Sequence, residues 1–215
     1  RDYGRIYRLA PPGFASTSPT RLAKATTAEL VSALQSPHGW VRDTAHRLLY
    51  ERQHVSSARR LRQMLVDDPS PQARLHALWS LAGLKALSQD DIAGALGDAH
   101  EAIREHAMRL AERHLDEAPL LLEKIIAQID DDDPRIRFQA AFSLGESSDA
   151  RAAKALAALS RSSASDPWIR TAILSSSQAL TADLLTELLA DEVFVSSTHG
   201  RQLIEQLATV VGART

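Results

Sequence analysis

Not one of the 215 residues is a cysteine. That excludes disulfides, zinc–thiolate centres, a thiol nucleophile and a C-x-x-C-H haem attachment within the chain. Aromatic residues are scarce at 5%, with three Trp, three Tyr and four Phe, so each aromatic position says something about packing or contact. No apolar run approaches the 18 or more residues that a membrane helix needs, so no membrane insertion is expected. The opening stretch RDYGRIYRLAPPGF is polar and aromatic and has no apolar h-region of the signal-peptide kind. The chain does not begin with Met, so a processed protein or a fragment of a longer one is expected, and the missing signal then says nothing of the parent. Excess charge of one sign is also lacking: 25 Lys and Arg stand against 27 Asp and Glu, a net −2 with the eight His neutral. A domain built to hold nucleic acid carries a basic balance, and nucleic acid is not expected as a partner. There is no G-x-S-x-G, no H-E-x-x-H and no glycine-rich phosphate loop.

What is present is a repeat. WVRDTA, QARLHA, AIREHA, RIRFQA and WIRTAI place Arg42, Arg74, Arg104, Arg137 and Arg170 at steps of 32, 30, 33 and 33, and Arg201 in HGRQLI follows 31 later. A turn signal precedes each of the first five: SPHG, DDPSP, GDAHE, DDDP and SASDP. Before each turn lies a helical pattern, such as TAELVSALQ or AAKALAALS. The unit is therefore helix A, tight turn, helix B, repeated about six times. The B helices carry a one-sided apolar stripe, Val41/Ala45/Leu48/Leu49 or Ile103/Ala107/Leu110/Ala111. The small residue at its centre (Ala45, Ala77, Ala107, Ala140) lets neighbouring helices approach closely. No single pair can bury its face alone, so the pairs stack around one continuous core.

The tetratricopeptide and ankyrin signatures are missing. The D-P-x-I-R turns of DDPRIR and SDPWIR instead resemble a HEAT-like repeat of the short bacterial kind over residues 27 to about 212. The expected fold is an all-α, right-handed α-solenoid of about six helix pairs over 19–215, after an extended arm over 1–18. In such repeats the motif arginine forms a ladder along the array, paired with a turn Asp or with carbonyls of the adjacent repeat, and Asp98, Asp133 and Asp166 sit in turns where that pairing is open to it. A long arginine stem packs while its head finds partners. A row of anion-binding arginines is the alternative.

SPHGWVRDTAHRLLYER, QARLHALWSLAGLKAL, DPWIRTAILSSS and the tail FVSSTHGRQLIEQLATVVGAR, together with GRIYRLAPPG, resemble the middle region of large exported planctomycete and verrucomicrobial proteins. In those proteins a dehydrogenase-like β-propeller precedes a HEAT-like region and a c-type cytochrome domain. The resemblance implies that the arm is the end of a propeller. It implies that haem c belongs elsewhere in a parent protein, with no cofactor in this region, and that the location is periplasmic or exported. It implies a non-catalytic scaffold between redox domains, its partner a protein or flanking domains of the same chain. A HEAT-like enzyme, a bilin lyase or an alkyl-base DNA glycosylase, is the alternative.

No catalytic residue and no metal site is assigned. His76 and His106 occupy equivalent B-helix positions and are expected to hydrogen-bond between repeats. The DDDDP run at 130–134 reads as a solvated turn in which Asp133 caps helix B. On the B helices, columns offset from the motif arginines would present Trp79 and Phe142 between Arg47 and Arg109 on a concave face. Aromatic and Arg side chains are enriched at binding hot spots. The competing reading buries Trp79, Phe138 and Phe142 between repeats.

Overall fold

In the computed structural model, residues 9, 11–13, 21–177 and 179–212 are described. The arm therefore falls mostly outside the described residues; within it, Leu9 is fully exposed. A short 3-10 turn, Leu22–Lys24, leads into the stack. The A helices are α1 (Thr27–Ala33), α3 (Ala58–Asp67), α5 (Gln89–Ala95), α7 (Pro119–Ile126), α9 (Ala150–Ser163) and α11 (Thr181–Leu189). Their B partners are α2 (Gly39–Arg52), α4 (Pro71–Gly83), α6 (Glu101–Ala111), α8 (Pro134–Leu144), α10 (Pro167–Ser176) and α13 (Thr198–Gly212), with the single-turn α12 (Glu192–Ser196) before the last. There is no strand among the described residues.

Local chemistry explains where the helices begin. Proline occupies the first turn of α4, α7, α8 and α10, where its fixed φ suits a helix and its missing N–H leaves nothing unpaired. Ser70, Asp133 and Asp166 cap α4, α8 and α10 by accepting backbone N–H bonds. Thr26 with Glu29, and Ser88 with Asp91, form capping boxes on α1 and α5.

Each A helix packs on its own B helix, each B helix packs on the next, and from α3 onward each A helix packs on the next. This is the nearest-neighbour order of an α-solenoid. Ala45, Ala77, Ala107 and Ala140 are all fully buried where the B helices touch. Their small side chains draw the B row together, and up to α10 it is packed more closely than the A row is up to α9. α2, α4, α6, α8 and α10 form one continuous row, the B-helix face. In the fifth repeat the equivalent position is Ile173, also buried. There close approach is made elsewhere. A Cβ added to Gly145, at the end of α8, would lie far inside van der Waals contact with the backbone oxygen and Cβ of Ser176 on α10. The backbone cannot yield as a side chain would. Gly145→Ala is expected to lower stability by about 1–3 kcal/mol, read as a shift in the denaturant midpoint without loss of helical signal at low denaturant.

Candidate functional site

The five motif arginines share one geometry. Each Nη1 donates to the main-chain oxygen six residues earlier: Arg42 to Ser36 (2.7 Å), Arg74 to Asp68 (2.8 Å), Arg104 to Asp98 (3.0 Å), Arg137 to Asp131 (2.6 Å) and Arg170 to Ala164 (2.8 Å). In the centre of the array the guanidinium also reaches the next repeat. Arg74 Nε and Nη2 grip both oxygens of Asp98 at 2.9 and 2.8 Å. Arg104 grips Asp131 in the same forked way, with Nη2 at 2.8 Å from Oδ2. A turn aspartate thus accepts from the preceding repeat's arginine through its carboxylate, and from its own repeat's arginine through its carbonyl.

The turn partners differ from the sequence expectation at two of three places. Asp98 is in the row, but Asp133 and Asp166 cap their own helices, and the guanidinium that Asp133 holds is that of Arg135, two residues on. The row position is two residues earlier, at Asp131, so this residue of the 130–134 run is largely covered rather than solvated. After Arg137 the equivalent residue is Ala164, and Arg137 has only the carbonyls of Asp131 and Asp132. At the other end, Asp68 accepts from Gln35 Nε2 at 2.5 Å, and Arg42 Nε is buried with no partner. The side chains of Arg104 and Asp131 are only 16% and 15% exposed, so truncating one strands the other. Arg104→Ala is expected to cost about 2–4 kcal/mol, and Arg137→Ala about 1–2 kcal/mol, since only hydrogen bonds to carbonyls are lost. Thermal melts of the two variants side by side test that order.

The structure divides the four residues expected on the B face. Trp79 and Arg109 line one cleft of about 520 Å³, between the C-terminal ends of α2, α4 and α6. Arg47 is exposed and paired with Glu51 one turn on, at 2.7 Å, outside that cleft. Phe142 is half-buried, packed edge-on against Phe138 with ring centres 5.0 Å apart, and both lean on the core. Three further cleft residues were not anticipated: Tyr50, Lys85 and Arg113. Tyr50 lies over Gly83, where a Cβ would sit 2.9 Å from the ring. Lys85 has a left-handed backbone, φ 54°, just past α4. Arg113 follows the end of α6. Both basic residues fall beyond the helical columns, so periodicity gave no signal for them.

Trp79 Nε1 donates to Nδ1 of His106 at 3.2 Å, across repeats. Arg109 is held by Glu105 at 2.6 Å and by Gln139 Oε1 at 3.0 Å. Gln139 Nε2 and the Ser143 hydroxyl both donate to Glu112, whose carboxyl burial pushes up. His46 shares a proton with the Ser80 hydroxyl at 2.9 Å, and its ring lies 5.7 Å from that of His76. Burial pushes the imidazoles of His46, His76 and His106 below their ordinary value of 6.5. The unfolded chain therefore binds more protons in the interval below that value. The stability these rings contribute is complete above pH 6.5 and is lost as pH falls from there through the folded values. Glu112 acts in the opposite sense, nearer the carboxylate range. The melting temperature is expected to fall between pH 7.5 and 5.5, and His46→Gln should flatten that fall.

Among the described residues, no group of three or more His, Asp or Glu is placed to hold a metal ion, and no helix is long and apolar enough to cross a membrane. No family model matches the chain, and no curated protein matches it. Solved structures do. A designed armadillo repeat protein, YIII(Dq)4CqI, is 14% identical with a TM-score of 0.49, over 85% of this chain and 100% of its own. Another, YIII(Dq.V1)4CPAF in complex with peptide (KR)4, is 16% identical with a TM-score of 0.49, over 86% and 99%. An engineered protein is 12% identical with a TM-score of 0.47, over 86% and 97%. The solenoid assignment itself rests on the helix order and packing described above.

Proposed function

We propose that this chain is a non-catalytic α-solenoid scaffold that binds a protein segment on its B-helix face. One observation carries the reading: Tyr50, Trp79 and Arg109, from three successive repeats, converge on one cleft of that face. A stack locked at its turns and open along its B-helix row offers an extended contact surface. Half-exposed aromatic and arginine side chains are the groups that most often dominate such contacts. The finer reading is that the partners are a dehydrogenase-like propeller and a c-type cytochrome domain of a larger protein. Its support is the resemblance of the SPHGWVRDTAHRLLYER and DPWIRTAILSSS segments.

The test is a titration of this chain against propeller and cytochrome domains taken from the reading frame that encodes it. Wild type is run beside Trp79→Ala and Lys154→Ala, the latter exposed on A helix α9. Binding by wild type and Lys154→Ala, weakened about tenfold or more by Trp79→Ala as for a hot-spot residue, is the expected result. Equal binding by all three excludes the B face. A reading frame without such domains excludes the finer reading, and turnover of a substrate by the chain alone excludes the scaffold.

A further inference from the structure

The cleft between α2, α4 and α6 has a definite chemistry. Lys85, Arg109 and Arg113 line it, and no Asp or Glu is among its lining residues. Arg109 is already compensated by Glu105. Lys85 and Arg113 are exposed, and neither has an ion pair among the described residues. Between these cations stand two rings. Tyr50 is 57% exposed and is seated by the missing side chain of Gly83. Trp79 has already spent its N–H on His106, so what it offers an incoming group is its ring. Cations at the ends of α4 and α6 suit the helix dipoles, but that alone does not call for two rings between them.

We propose that this cleft receives an extended acidic peptide segment, with an aromatic or aliphatic side chain against Tyr50 and Trp79 and its carboxylates on Lys85 and Arg113. The inference rests on the scaffold reading and names the class of partner at that face. Three B helices span two helix-to-helix spacings of roughly 8–10 Å each. An extended chain advances about 3.3 Å per residue, so about five to six residues cross the cleft. Opposite charge on the segment speeds encounter and sets its register, while the apolar side chain supplies the buried contact.

The experiment is fluorescence polarisation with labelled peptides of about eight residues on the whole chain. One probe has a central Phe flanked by Glu and Asp. A second replaces the acids by Lys, a third replaces Phe by Ser, and an oligothymidylate serves as a different polyanion. The first probe is expected to bind, to weaken as salt is raised, and to exceed the second and third. Lys85→Glu/Arg113→Glu should weaken it about tenfold or more, about 1.4 kcal/mol. Lys85→Gln/Arg113→Gln should weaken it less, and Lys154→Glu should leave it unchanged. Circular dichroism confirms that each variant is folded. Binding of the first probe equal to that of the Lys peptide, no binding of it at about 1 mM, which is the weak end of measurable affinity, retention by the double Glu variant, or equal competition by oligothymidylate would each overturn the proposal. If the acidic probe fails while the titrated domains still distinguish wild type from Trp79→Ala, only the ligand class is wrong. If both fail, the scaffold reading falls with it.

Discussion

A guanidinium that binds forward and backward at once is the interaction on which the stack depends. Arg74 and Arg104 each close their own turn through a carbonyl and clamp the next turn through a carboxylate. The two jobs need different parts of one planar fork, which is why lysine would not serve. The aspartate shares the load: Asp98 and Asp131 also accept the backbone N–H two residues on, fixing the turn that the arginine then ties down. Taking these charges out of water costs free energy that the forked geometry offsets. The yield is angular: successive helix pairs are held in one register along the edge of the stack.

The alanines beneath that edge act together with it. Ala45, Ala77, Ala107 and Ala140 have no exposed surface, so the B helices approach closely along the row. Close packing of the B row gathers side chains from successive repeats. Tyr50, Trp79 and Arg109 meet for this reason, and the Trp79–His106 bond and the Arg109–Gln139–Glu112 chain then hold the floor of the cleft. Where the turn clamp lapses, after Arg137, the packing changes as well. Ile173 replaces the alanine, and Gly145 takes over close contact with α10.

The repeat was legible because it is one-dimensional: an arginine every 30 to 33 residues, preceded by a turn and followed by an apolar stripe, is visible without knowing what touches what. The identity of each arginine's partner was less so. Asp131 and Asp133 lie in one acidic run, and only the direction in which the chain turns decides which carboxylate faces the neighbouring repeat and which caps its own helix. The B-face columns located Trp79 and Arg109 but also drew in Arg47 and Phe142. Arg47 is paired along its own helix with Glu51, and Phe142 turns toward Phe138.

By itself, then, the sequence determined the helical class, the two-helix unit, the turn arginines and the small residues that let helices meet, because each depends on contacts within a residue's own repeat or on strict periodicity. Tertiary structure alone decided which carboxylate completes the rung at Arg74 and at Arg104, that Arg42, Arg137 and Arg170 have none among the described residues, and that Lys85 and Arg113 join Tyr50 and Trp79 in a single cleft. Those outcomes depend on the angle between successive repeats and on how loop residues leave the helix ends. Both are set by packing across the stack, which no single repeat encodes.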